Sequence, residues 1–130
     1  MEGFPFVYRE PVRFRDLDAM EHVNNAVFLT YLEEARTAFL RERGLVTRLE
    51  DLGMVVARAE IDFRSTVAFG ETVDIGVRAS RFGTKSFELE YRLESAGRLA
   101  AEAKTVCVGF DYETRSTVPV PEAWRKLLSG

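Results

Sequence analysis

Between positions 16 and 25 the chain reads DLDAMEHVNN. Asp16, Asp18, Glu21, the sole histidine His22, and the amides Asn24 and Asn25 crowd this segment, directly before a helix-forming pattern over residues 26–43. A helix N-terminus presents unpaired N–H groups and a partial positive charge. It can polarise a carbonyl oxygen or hold an oxyanion, and a carboxylate fixed beside it can attack the carbonyl carbon or activate a water. The same residue types also serve a capped helix behind a solvated acidic loop.

Other chemistries are poorly represented. There is no G-x-S-x-G elbow, P-loop or dinucleotide glycine fingerprint. One cysteine and one histidine make no intrachain disulfide and no Cys/His zinc set. Cys107 lies between Val106 and Val108 in a strand pattern and reads as a buried, inert thiol. The formal net charge of −3 disfavours a phosphate-backbone binder, so no nucleic acid is expected as partner. With 46% hydrophobic and 30% charged residues the chain reads as a folded globular protein. Met1–Pro5 resembles no signal peptide and no apolar run reaches membrane-spanning length, which predicts a cytoplasmic protein without membrane contact.

The elements that must position the acidic segment follow from hydrophobic period. Phe6-Val7-Tyr8 and Val12–Arg15 read as strand, with Pro11 at an edge or bulge. Over residues 26–43, Val27, Phe28, Tyr31, Leu32, Ala35, Ala38 and Phe39 fall within about 140° of a helical wheel, opposite Glu33, Glu34, Arg36 and Thr37. Asn24 or Asn25 supplies the start and Gly44 the stop. Strands follow over Met54–Phe63, Thr72–Arg81, Ser86–Leu93 and Ala100–Tyr112, with turns at Gly70, Phe82-Gly83 and Ala96-Gly97. Pro121–Leu128 reads as a final short helix with Pro at its first position. One long helix followed by consecutive strands predicts an α+β fold of about five antiparallel strands curled around the helix, one domain over residues 1–130. So small a domain is expected to oligomerise.

The stretch VRFRDLDAMEHVNNAVFLTYLEEAR resembles the signature of the hotdog-fold acyl-coenzyme A thioesterases of the 4-hydroxybenzoyl-CoA thioesterase-like family. That signature runs Asp-x-Asp-x-x-Gly-His-Val-Asn-Asn, an aromatic, then Glu-x-x-Arg, and it is matched here at Asp16, Asp18, His22, Val23, Asn24, Asn25, Glu33 and Arg36. The resemblance implies a hotdog fold and hydrolysis of acyl-CoA to a free acid and CoA, without metal or other cofactor. It makes Asp18 the catalytic carboxylate, as nucleophile or general base. Asn25 would offer a backbone N–H to the thioester oxygen, and His22 would organise the loop or carry a proton. Asp16 would be structural, tied to loop amides or to Arg13 and Arg15. Asn24 would contact substrate or serve only as the helix cap, and Arg81, Thr84, Lys85 and Ser86 would either hold the CoA phosphates or form a plain hairpin turn, with Arg58 and Arg64 as weaker candidates. Two copies would join sheet edges into a dimer, with pairs of dimers forming a homotetramer. Rivals within the fold are a helix carboxylate, Glu33 or Glu34, in place of Asp18, an enoyl-CoA hydratase or dehydratase, and a non-catalytic acyl-CoA binder. Glu21 stands where the family has Gly. The expectation is that the loop relaxes to negative φ there and that Glu21 points to solvent.

Overall fold

The computed structural model describes residues 1–45 and 53–129. In chain order they form β1 (Phe6–Pro11), a 3-10 turn at Phe14–Asp16, α1 (Asn25–Glu42), β2 (Met54–Phe63), β3 (Thr72–Phe82), β4 (Ser86–Ser95), β5 (Arg98–Asp111), β6 (Ser116–Thr117) and α2 (Glu122–Leu128). All pairings are antiparallel, in the order β1-β3-β4-β5-β2, with β6 added to the end of β5.

The sheet wraps α1. Along the helix Phe28, Tyr31, Leu32, Ala35 and Phe39 are buried at three- and four-residue spacing, and they face Ile75 and Val77 of β3 and Leu89, Tyr91 and Leu93 of β4, all buried in the same cluster. β4 alternates without a fault, Phe87, Leu89, Tyr91, Leu93 and Ser95 being buried and their neighbours half-buried. Truncating a fully buried member such as Leu32 to Ala costs about 2–5 kcal/mol. This is the hotdog arrangement that the resemblance implied.

Local chemistry explains the element ends. Asn24 caps α1, its side chain accepting from the Ala26 N–H at 2.8 Å. At the other end Leu45 N–H returns to Leu40 O and Gly44 N–H to Arg41 O, both at 2.9 Å, with Gly44 at φ +77°. That pair of bonds is a Schellman stop, which needs the left-handed residue that Gly accepts without strain. The β4–β5 hairpin closes through Ala96 and Gly97, both at positive φ, as the right-handed twist of paired strands demands.

Two expectations need correction. The first strand ends at Pro11 and does not run on to Arg15. Pro11 cannot continue a ladder as donor, and the Asp16 carboxylate takes the Arg13 N–H at 2.9 Å, which closes a turn in place of a strand. Among the described residues the five long strands are as expected, and a two-residue return, Ser116–Thr117, pairs with the end of β5. Pro121 is the cap of α2 and not its first helical residue.

Arg36 falls on the polar arc of the helical wheel, yet its side chain is only 12% exposed. It donates to the Tyr91 hydroxyl at 3.3 Å, and Tyr91 in turn meets Thr105 at 2.7 Å. Burial pushes the Tyr91 hydroxyl and the Cys107 thiol to higher pKa, despite the opposing charge of Arg36. Cys107 is thus a protonated core thiol, as expected.

The two sheet edges differ. β1 is short and ends in proline. β2 is ten residues long and exposed along most of its length, with Val56 and Phe63 among the exposed large apolar side chains. A long open edge of this kind is a template for pairing with another chain.

Candidate active site

The loop before α1 is assembled around two aspartates with opposite fates. Asp16 is buried. Its Oδ2 accepts from the Tyr31 hydroxyl at 2.6 Å and from the Arg13 N–H at 2.9 Å, with the Arg13 guanidinium 3.6 Å away. Burial opposes its ionisation, but Tyr31 and Arg13 outweigh that and hold its carboxyl below the usual range. The Asp16 carbonyl also accepts from Asn24 N–H at 2.9 Å, which fixes the helix cap to the loop. Asp16 is therefore spent on structure.

Asp18 is not. Its Oδ1 accepts from Met20 N–H at 2.9 Å and from His22 N–H at 3.4 Å. The backbone is closed around it by Asp18 N–H to His22 O at 2.8 Å and Glu21 N–H to Asp18 O at 3.0 Å. Among the described residues Oδ2 has no partner. The carboxylate is thereby held by one oxygen and free at the other. A short bridge from His22 to Ala68 and a bond from Val23 N–H to Val67 O at 2.8 Å pin the loop to the segment before β3.

Glu21 closes this turn at φ +65°, the left-handed region. The expectation of negative φ is overturned, because the Asp18-centred turn dictates the backbone whatever residue fills the position. The side chain is exposed, as expected.

Asp18 lies on the wall between two cavities. One, of about 700 Å³, is lined by Asp18, Met20, His22, Asn24, Asn25, Phe28, Phe63, Arg64, Ser65 and Thr66. The other, of about 440 Å³, is lined by Phe14, Leu17, Asp18, Glu21, Ala68 and Phe69. In the second, Phe14 and Phe69 meet edge to face with ring centroids 6.0 Å apart. At the helix start, Asn24 accepts from the Ala26 N–H by its side chain and from the Val27 N–H by its carbonyl. This leaves the Asn25 N–H without an acceptor among the described residues, at the head of the helix dipole. A free carboxylate oxygen and an unspent helix N–H on one cavity can receive a polarised carbonyl.

Residues 12–128 match the model of the thioesterase-like superfamily. The chain belongs to that family. Among the relatives of this thioesterase is the 1,4-dihydroxy-2-naphthoyl-CoA hydrolase of Synechococcus elongatus, 30% identical over 128 residues, which are 95% of this chain and 94% of the relative. The long-chain acyl-CoA thioesterase FadM of Escherichia coli is 28% identical over 90% of this chain and 92% of its own. A thioesterase from Thermus thermophilus, solved in complex with coenzyme A and Zn, superposes with a TM-score of 0.89 at 41% identity, covering 98% of this chain and 95% of that one.

Asp18, His22, Asn24 and Asn25 of the thioesterase share the larger cavity. Arg81, Thr84, Lys85 and Ser86 do not join them. They stand at the β3–β4 turn, whereas the Asp18 loop adjoins the start of β3, and eleven residues of strand separate the two ends, about 30 Å at the usual rise. Arg64 does reach the Asp18 cavity, paired with Glu102 at 3.1 Å. Arg58 is exposed and paired with Glu60. Glu33 is exposed, and Glu34 turns toward Arg13 at 3.4 Å, away from the Asp18 cavity. Sequence reading missed the aromatic pair Phe14 and Phe69, which only the fold brings together, and the contributions of Met20, Ser65 and Thr66. Among the described residues no cluster of three or more His, Cys, Asp or Glu is arranged to hold a metal ion, and no helix is long and apolar enough to cross a membrane.

Proposed function

We propose that this thioesterase hydrolyses acyl-CoA thioesters at Asp18 and that each working site is completed by a second copy of the chain. The observation that carries the first part is the division of labour within the Asp18 carboxylate, one oxygen fixed by two loop amides and the other open to the cavity of Asn25. The thioester oxygen rests on the Asn25 N–H, where the helix dipole stabilises the charge that develops on it. Asp18 Oδ2 attacks the carbonyl carbon, the C–S bond breaks and CoA leaves as the thiolate. Water then cleaves the acyl-aspartyl anhydride and restores the carboxylate. In the general-base route Oδ2 takes a proton from a water that attacks in its place. The routes differ in one observable, an acyl mass on the Asp18 peptide in a rapidly quenched reaction. His22 positions Asp18 through its amide and carbonyl and lines the same cavity. Neither route calls on a cofactor. The cavities on either side of Asp18 give the acyl and pantetheine arms separate places, and their aromatic walls suit an apolar or aromatic acyl group.

The second part follows from the distance between Asp18 and Lys85. Antiparallel pairing of two β2 edges sets the Phe63 end of one protomer beside the Met54 end of its partner. The partner's basic turn, which lies at that end through the register Met54 to Gly109 and Ser86 to Val108, is thereby carried toward Asp18. The expected assembly is a homodimer with two shared sites, open to further pairing into a tetramer.

Mixed dimers test this. One chain carries Asp18→Asn, the other Arg81→Gln with Lys85→Gln. In a shared site the mixed dimer recovers one intact site and about half the wild-type kcat/KM, while each parent dimer stays poor. No recovery on mixing places Asp18 and the turn in the same protomer's site and overturns the arrangement. A monomer in light scattering with full activity does the same.

A further inference from the structure

The basic turn is clamped to a second feature at its end of the sheet. Thr84 O accepts from Val120 N–H and Lys85 O from Gly109 N–H, both at 3.0 Å. Gly109 and Val120 flank, in sequence, the walls of a cavity of about 450 Å³ lined by Phe110, Tyr112, Pro119 and Trp124. A side chain at Gly109 would run into the Val118 carbonyl, so glycine there is what lets this segment close over β5. Phe110 and Tyr112 meet edge to face with centroids 5.0 Å apart. The Tyr112 hydroxyl donates to Met54 O at 2.8 Å, which fixes its ring, and the residue is still 53% exposed.

Charge around this cavity is divided. Asp111 and Glu113 line it, with Asp111 Oδ1 committed to the Glu113 and Thr114 amides. Cations lie at the end of β3 and on the adjoining β3–β4 turn, and Arg115 lies on the acidic turn itself, its N–H bound to the Asp111 carbonyl. Arg81 and Lys85 are exposed, and among the described residues neither has a carboxylate within ion-pair distance. Arg125, beside Trp124 on α2, stacks over the Phe82 ring at 5.2 Å.

We infer that the Phe110–Tyr112–Trp124 cavity receives the adenine ring of the CoA nucleotide, with the nucleotide phosphates on Arg81 and Lys85. This rests on the proposed hydrolysis of acyl-CoA and adds the site for the nucleotide end. Aromatic faces bind any base by stacking. An acidic rim accepts the exocyclic amino group of adenine and repels phosphate, which the neighbouring guanidinium and ammonium groups attract.

Trp124 is the only tryptophan of the chain, so its emission reports on the cavity directly. The probe is adenosine 3′,5′-bisphosphate, with phosphopantetheine as the control that lacks the base. The expected result is a saturable change in Trp124 emission with the bisphosphate and none with phosphopantetheine. Tyr112→Phe keeps the ring and binds within about threefold of wild type. Tyr112→Leu keeps bulk but loses the stacking face, and binding weakens about tenfold. In turnover, Tyr112→Leu lowers the preference for acyl-CoA over the matching acyl-pantetheine about tenfold, through KM. An emission unchanged by the nucleotide, or a Tyr112→Leu enzyme with wild-type preference, overturns the inference while acyl-CoA hydrolysis stands. Nucleotide binding in a protein that hydrolyses no thioester leaves the adenine site in place and removes the hydrolase reading instead.

Discussion

Tyr31 donates its hydroxyl to Asp16 Oδ2 across 2.6 Å in the interior, joining the second turn of α1 to the loop that carries Asp18. Burial and the Asp16 charge push the Tyr31 hydroxyl well above its ordinary pKa, so it stays a donor at every working pH. Tyr31→Phe removes the donor and leaves a buried carboxylate short of a partner. Such a loss costs roughly 1–3 kcal/mol. The folded Asp16 pKa lies below its unfolded value, so its contribution is present above the unfolded pKa and fades as pH falls through the folded one. Urea melts of Tyr31→Phe should show this deficit at pH 7, and the deficit should shrink toward pH 3.

Glu10 on β1 carries the opposite sign. Burial first, then the facing Glu34 carboxylate, push its carboxyl up to about 7, with Asp16 adding and Arg13 opposing. Arg13 touches Glu10 and Glu34, each at 3.4 Å. Between about pH 4.5 and 7 the unfolded chain releases this proton and the folded one keeps it, so the Glu10 contribution falls as pH rises. Glu10→Gln should melt like wild type near pH 4.5 and gain on the order of 1–3 kcal/mol over it by pH 8. A difference that does not grow with pH would remove Glu10 as the cause.

Glu21 sits in the left-handed region, where a side chain costs about 1–2 kcal/mol relative to glycine. Glu21→Gly relieves that strain and loses about 0.4–1 kcal/mol to the greater freedom of the unfolded chain, for a net gain of about 0.5–1 kcal/mol, with Glu21→Gln neutral. Glu21 stands at the rim of the smaller cavity with its side chain exposed, so both variants should hydrolyse thioesters within about threefold of wild type, far below the tenfold that 1.4 kcal/mol represents. A turnover gain of about tenfold in Gln alone would show that its charge reaches the substrate.

Much of this was legible in the sequence because it is local. The alternation of Phe87, Leu89, Tyr91 and Leu93 marks β4, the stripe from Phe28 to Phe39 marks α1, and Asn24 and Gly44 mark its ends. The Asp16–Asn25 segment was legible as a candidate site for the same reason, since its residues meet across one short loop. What was hidden depends on distant chain segments. Val12–Arg15 alternates like a strand, but the Asp16 carboxylate folds it into a turn. Arg36 reads as a surface cation until Tyr91 arrives from β4. Lys85 and Asp18 read as neighbours in function, yet the length of β3 keeps them apart in one protomer, and Phe14 and Phe69 become a wall only when the loops meet.

The proposed hydrolysis rests on the Asp18 carboxylate. Asp18→Asn preserves an oxygen for the Met20 and His22 amides and removes only the charge, so its thermal melt should match wild type. Turnover of an acyl-CoA substrate that the wild type hydrolyses, followed by release of free thiol, should fall by at least about 10², while Asp16→Asn, corrected for its lost stability, falls far less. An Asp18→Asn enzyme that keeps more than about a third of wild-type turnover would show that another group carries the reaction.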